Sequence, residues 1–230
     1  MSFLAKIFKS KNSLKEFVDR VIAERLSYLG KPALIELAEA VEEMESTNVT
    51  GVIVEAGCAL GGSSIVISYA KKKDRDFYIY DIFGTIPSPG EQDPEVAHQR
   101  YKEIIEGKSD GIDGDKYYGY QDLLLHKVIQ NFKHFEIEPE QNNITFVQGL
   151  YEETMLIDFP VALAHIDCDW YDSVLICLKQ IVPRMTPNAL LILDDYYYWP
   201  GCKKAVDDYF QDKKSQFIFI EKSRLHIRKK

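Results

Sequence analysis

Four aspartates in two close pairs carry most of the chemistry this sequence could do. Asp167 and Asp169 lie in AHIDCDWYDS, and Asp194 and Asp195 in ALLILDDYYYWPG. Each pair follows a short apolar run, 161–166 and 189–193, that reads as a buried strand. Carboxylates at the ends of buried strands are costly unless something compensates their charge. Three converging carboxylates match Mg²⁺ or another hard divalent cation, with water and substrate oxygens filling the other positions. The remaining aspartate could act as a base toward a sugar or catechol hydroxyl that the metal acidifies. The competing reading is a set of helix caps and turn formers, with Asp172 one such cap and Asp169 a second candidate.

A second constellation lies upstream. The stretch Glu55-Ala56-Gly57-Cys58-Ala59-Leu60-Gly61-Gly62-Ser63-Ser64 follows the short strand GVIVE and leads into Ile65, Val66, Tyr69 and Ala70 at helical spacing. Glycines after a strand let backbone approach a ligand closely, and the helix that follows favours anionic groups at its start. The spacing is not the dinucleotide GxGxxG. An acid at the strand end suits an amino group or sugar hydroxyls, so the expected ligand is an adenosyl amino acid rather than NAD. Glu55, Gly57 and Ser63 are the candidate contacts in this turn. Asp81 ends the next strand, FYIYD, where a carboxylate can accept both ribose hydroxyls. Gly149 ends the third strand and marks the expected place of the adenine.

The elements that must position these groups alternate. Helices are expected over 12–29 and 32–45, then strands over 51–55 and 77–80 with a helix between them. The span 82–140 breaks the pattern with Pro87, Pro89, Pro94 and glycines 107, 111, 114 and 119 around helical pieces at 95–105 and 120–134. A loop of this length is usually functional or mobile, and it reads as an active-site lid inserted between strands 2 and 3. Strands follow at 143–148, 161–167 and 189–194, with a short helix at 150–157 and longer ones at 172–184 and 202–213. A closing antiparallel hairpin spans 217–220 and 225–227. The order predicts one α/β domain over residues 1–230, a doubly wound parallel sheet with an N-terminal helical region at 1–48. Aromatics crowd the expected site: Trp170, Tyr171, Tyr196, Tyr197, Tyr198 and Trp199, and Tyr117, Tyr118 and Tyr120 from the lid, are candidates for a wall against a sugar or planar acceptor. His98, His126 and His134 read as surface residues, and His165 as a satisfied core group.

Composition narrows the partners. The 230-residue chain has 36 acidic and 28 basic residues, a formal charge of −8, which argues against nucleic acid as the main partner. Cys58, Cys168, Cys177 and Cys202 have neither CxxC nor zinc spacing, and free thiols in a reducing, cytoplasmic setting are expected. No run reaches the ~18 apolar residues of a membrane span. The start, MSFLAKIFKSKNSLKEF, has apolar runs too short for a secretory signal. It reads as a basic amphipathic arm that packs on its own domain or a second subunit, or that touches a membrane surface.

The glycine turn VEAGCALGGSS, the strand-end Asp81, IDCDWYDS and LDDY together resemble the macrocin O-methyltransferase family, over roughly residues 20–212. The resemblance implies a class I, Rossmann-like fold and an enzyme, dependent on S-adenosylmethionine and Mg²⁺, that methylates a hydroxyl of a sugar or glycosylated natural product. It implies that Asp167, Asp194 and Asp195 hold the metal, with Asp167 also beside the cofactor, that Asp169 is the general base, and that the protein is a homodimer or a larger assembly. Two other readings stay open: a catechol-type or other small-molecule O-methyltransferase, and a non-catalytic S-adenosylmethionine-binding module in a biosynthetic complex. A hydrolase or nucleotide-dependent enzyme is disfavoured, since the chain has no P-loop and no GxSxG elbow.

Overall fold

The computed structural model describes residues 11–230; of the basic amphipathic arm expected over 1–17, residues 1–10 lie outside the described residues and 11–17 open the first helix. Two helices, α1 (Lys11–Ala23) and α2 (Lys31–Ser46), precede the first strand. There follow β1 (Val52–Ala56), α3 (Gly62–Ala70), β2 (Phe77–Asp81), α4 (Glu95–Ile105), α5 (Leu124–His134), β3 (Ile144–Gln148), α6 (Tyr151–Thr154), β4 (Val161–Ile166), α7 (Tyr171–Ile181), β5 (Met185–Leu193), α8 (Pro200–Phe210), β6 (Phe217–Glu221) and β7 (Leu225–Lys229). They form a seven-stranded sheet in the order β3-β2-β1-β4-β5-β7-β6. The first five strands run parallel, and β7 is antiparallel to both β5 and β6.

Every residue of β4 is buried, as continuous apolar runs require when helices cover both faces of a parallel sheet. The helices pack in two groups, α1 with α2 and α3, and α7 with α6 and α8. Chain direction reverses its lateral march between β1 and β4, and the C-terminal tips of these two strands define the switch point where α/β sheets bind ligands. No helix among the described residues is long and apolar enough to cross a membrane.

Two departures from the sequence expectation bear on the site. The first helix stops at Ala23 rather than near residue 29, because Arg25 turns left-handed (φ 54°) and Leu26 N–H bonds back to the Val21 carbonyl. The released segment crosses the start of α3, where Gly62 N–H donates to the Leu26 carbonyl at 2.9 Å. A Cβ on Gly62 would lie 2.4 Å from that oxygen, so glycine is what permits the crossing. Tyr28, Leu29 and Gly30 are thereby brought to the site.

The second departure is the insertion after β2, which is built rather than unpatterned. Within it α5 packs Val128 and Phe132 against the glycine turn at Gly61, and Asn131 donates to the Leu60 carbonyl at 2.9 Å. Its first part is fastened to α7: Trp170 Nε1 donates to the Pro87 carbonyl at 3.1 Å, and Asp93 accepts from Tyr171 N–H at 2.9 Å. That last bond corrects the reading of Asp172 as a cap. The donor at the start of α7 is satisfied by a carboxylate from the insertion, and the residue at the N-cap position, Trp170, makes no side-chain cap bond.

Candidate active site at the carboxyl ends of the strands

The glycine turn is shaped by two constraints. Gly57 has φ 88°, and a Cβ there would lie 1.8 Å from the Asp167 carbonyl oxygen, so only glycine lets the tips of β1 and β4 meet. Asp167 N–H donates to the Ala56 carbonyl at 2.8 Å across the same junction. Asp81 fixes the rest. Its Oδ2 accepts from Cys58 N–H (2.8 Å) and Ala59 N–H (3.3 Å), and its Oδ1 from Phe83 N–H (2.6 Å). Burial pushes the Asp81 carboxyl up from its ordinary range while these three bonds pull the other way. An ionised carboxylate has about four acceptor positions. The turn uses two of them and Phe83, after β2, a third, and Asp81 also lines the cavity.

Glu55 stands in a different place from the one its position suggested. It is fully buried, one oxygen accepting from Ser64 Oγ and the other 2.9 Å from His165 Nδ1, and it is absent from the cavity wall. The reason is register: β1 and β4 pair Glu55 directly with His165. Burial disfavours a charged His165, but Asp194 and Glu55 outweigh it and raise its pKa to about 9. Glu55 therefore braces the turn from beneath. Ser63 is likewise buried and outside the wall.

The four aspartates converge from two neighbouring strand ends, Asp167 and Asp169 after β4 and Asp194 and Asp195 after β5. Asp167, Asp194 and Asp195 each place a ligand oxygen within 4.8 Å of the others. Asp169 takes a left-handed backbone (φ 57°) that turns its N–H onto Asp195 Oδ2 at 3.2 Å. Burial, then repulsion from Asp194, Asp195 and Asp169, drives the Asp167 carboxyl well above the carboxylate range. Burial and Asp194 push Asp195 up to about 6, and burial and Asp195 raise Asp169. Asp194 goes the other way: burial would raise it, but His165 and Arg224 hold it below its ordinary value. All the donors are hard oxygens, and repulsion at Asp167 and Asp195 has no cationic partner among the described residues. The triad therefore fits a hard divalent cation.

One cavity of about 600 Å³ joins these pieces; Gly57, Asp81 and Gly149 lie on its wall together with all four aspartates. Trp170, Tyr198 and Trp199 line it from the core side, and Tyr117 and Tyr118 from the insertion. The other aromatic candidates turn elsewhere. Tyr171 bonds Asp208, Tyr196 bonds Asp207, Tyr120 bonds the Ile104 carbonyl, and Tyr197 is exposed. His98, His126 and His134 are outside the wall, as expected of surface residues. Wall residues that the sequence reading did not single out include Ile104 and two cations, Arg100 and Arg224. Arg100 rises from α4 at helical spacing like any surface arginine, and Arg224 follows a short strand, so neither carries a local signal.

Residues 19–221 match the family model for macrocin-O-methyltransferase (TylF). Demethyldecarbamoylnovobiocin O-methyltransferase of Streptomyces niveus is 27% identical over 192 residues, covering 79% of this chain and 66% of the relative. The 8-demethyl-8-(2,3-dimethoxy-alpha-L-rhamnosyl)-tetracenomycin-C 4'-O-methyltransferase of Streptomyces olivaceus is also 27% identical, over 188 residues, with the same shares of 79% and 66%. The chain thus spans just under two thirds of the length of these curated relatives. Among solved structures, the O-methyltransferase NovP superposes with a TM-score of 0.72 at 24% identity, over 89% of this chain and 81% of that one. An O-methyltransferase from Bacillus cereus solved in complex with SAH gives 0.54 at 10% identity, over 98% and 94%. Both structural likenesses show the seven-stranded fold. With the family model matched from the middle of α1 to the end of β6, the chain belongs to the macrocin-O-methyltransferase family.

Proposed function

We propose that this protein is an S-adenosylmethionine-dependent, divalent-metal-dependent O-methyltransferase acting on a hydroxyl of a sugar or glycosylated natural product. The observation that carries the reading is that one cavity holds the glycine turn, the strand-end Asp81 and three clustered carboxylates side by side, two of which, Asp167 and Asp195, have no cationic partner among the described residues. In this reading a methyl donor and a metal ion share one cavity. The activities of the Streptomyces relatives supply the class of acceptor.

The turn at Gly57 receives the methionyl end of the donor, Asp81 meets the ribose, and Gly149 borders the adenine. Asp167, Asp194 and Asp195 hold Mg²⁺ or a similar cation, which when bound makes a hydroxyl beside it easier to deprotonate. Asp169 takes the acceptor proton on its carboxylate, and its environment raises its proton affinity above that of an ordinary aspartate. Trp170 and Trp199, edge-on at 5.2 Å, exclude water and orient the acceptor so that its oxygen approaches the methyl group in line. The four free cysteines suit a reducing, cytoplasmic setting, and a homodimer or larger assembly is the expected state.

Calorimetry with S-adenosylhomocysteine, with and without Mg²⁺, tests the donor site, and methyl transfer to a panel of glycosides and catechols, with and without EDTA, tests the rest. Binding together with EDTA-sensitive transfer to a glycoside is expected. Full activity in excess EDTA would remove the metal from the mechanism, transfer to catechols alone would replace the acceptor class, and no donor binding would defeat the whole reading.

A further inference from the structure

The turn between β6 and β7 sends one cation into the carboxylate triad. Antiparallel pairing of β7 with β5 sets Leu225 opposite Leu193, which places Arg224 beside Asp194. Its Nε donates to Asp194 Oδ1 at 2.5 Å, and the same oxygen lies 4.0 Å from His165 Nε2. The guanidinium is held from other sides too. Its carbon sits 4.7 Å over the Tyr198 ring, one terminal nitrogen donates to Tyr198 Oη (3.1 Å) and the Ser223 carbonyl (3.0 Å), and Ser223 is tied to Glu36 on α2. Arg224 is thus a fixed positive charge on one ligand of the triad, while Asp167 and Asp195 have no such partner among the described residues.

We propose that Arg224 is a tethered counter-ion that competes with the divalent cation for the triad and sets how tightly that cation is held. The inference rests on reading Asp167, Asp194 and Asp195 as the metal ligands. Two consequences follow from charge alone. Without metal, Arg224 offsets part of the repulsion among three crowded carboxylates. With metal, its charge opposes a second positive charge placed against the same oxygens, and one Asp194 oxygen is already engaged by arginine and histidine. The cation is then exchangeable rather than locked in.

The test is calorimetric titration of the full chain with magnesium chloride alone, paired with thermal unfolding in EDTA and in saturating Mg²⁺. Arg224→Met is expected to bind Mg²⁺ about tenfold more tightly than the wild type. In EDTA its Tm should fall by about 5 °C, a deficit that shrinks when Mg²⁺ saturates. Arg224→Gln keeps hydrogen bonds to Asp194 and Tyr198 without the charge and should tighten Mg²⁺ similarly, so the idea stays testable if the methionine variant misfolds. Arg224→Lys, keeping the charge, should stay within about threefold of the wild type. Unchanged or weaker Mg²⁺ binding by Arg224→Gln overturns the inference. If wild type binds no Mg²⁺ and matches Asp195→Asn in that respect, the triad reading itself fails.

Discussion

The two halves of the cavity treat their buried carboxylates in opposite ways. On the donor side, both oxygens of Asp81 and of Glu55 have protein partners: three backbone N–H groups for one, Ser64 and His165 for the other. On the acid side, Asp167 and Asp195 crowd each other and Asp194 with no cationic partner among the described residues, though Asp195 accepts the Asp169 N–H at 3.2 Å, and burial and then repulsion push both upward in pKa. The first arrangement has a protein partner on every carboxylate oxygen, and the second leaves the charge of Asp167 and Asp195 without a cation among the described residues. A buried charge that the protein has already satisfied is a brace; one that it leaves unpaired implies something from outside. The contrast sorts the site residues better than their positions at strand ends do.

The largest effect should come from the acid half. Asp167→Asn removes one hard ligand and one source of repulsion together. Methyl transfer should fall by about 10³-fold or more, some 4 kcal/mol of transition-state stabilisation, while S-adenosylhomocysteine still binds. The metal-free protein should unfold no earlier than the wild type, because the substitution relieves repulsion. A variant clearly less stable in EDTA would mean that the triad is a structural network after all, and the contrast would break.

Gly57→Ala strikes the junction that both halves share. The added Cβ meets the Asp167 carbonyl oxygen at 1.8 Å on a backbone with φ 88°, so β1 and β4 must part at their tips. A loss of roughly 3 kcal/mol or more is expected, read as a Tm lowered by several degrees with donor and Mg²⁺ binding weakened together. Loss of only one of the two affinities would show that the halves are not mechanically joined there.

Glu55→Gln sharpens the donor half. It leaves the buried His165 with one carboxylate partner instead of two and should cost about 2 kcal/mol of stability. Because Glu55 does not border the cavity, S-adenosylhomocysteine affinity should change by less than about tenfold beyond what the lost stability explains. A far larger loss of donor affinity in a well-folded variant would return Glu55 to direct contact with the cofactor.

These outcomes also mark what the sequence could and could not say. Strand-ending aspartates and the glycine turn were legible because local pattern alone sets them: apolar run, then polar group, then helical spacing. The doubly wound order followed from the same alternation. What could not be read depends on pairing between distant segments. Glu55 meets His165 only through the β1–β4 register, and Arg224 meets Asp194 only because β7 turns back along β5. The early end of α1 hides behind good helical periodicity, since Leu26 and Leu29 are buried from a non-helical segment just as they would be from a helix. Side-chain burial was right there and the backbone wrong, and it is the backbone that carries Tyr28 to the cavity.

The insertion offers the smallest and most discriminating test of the contrast, because it touches the acid half without joining it. Asp93 is buried and accepts from Tyr171 N–H at 2.9 Å and Gly90 N–H at 3.0 Å, and Gly201 leaves room for it at the start of α8. It is a carboxylate with a protein donor on each oxygen, and it holds the N–H of the residue directly after Trp170, which lines the cavity. Asp93→Asn keeps the shape and one acceptor oxygen but loses the charge that favours a helix N-terminus, a cost of about 1 kcal/mol. Thermal unfolding should show a shift of about 2–4 °C. Mg²⁺ affinity should hold within a factor of two or so, since no oxygen of the triad is touched. The acceptor KM should rise more than kcat falls if the clasp positions Trp170 and the insertion around the acceptor. A weakened Mg²⁺ site in that variant would show instead that the brace and the charge cluster are one cooperative unit, and that the division between the two kinds of carboxylate does not hold at the helix starts.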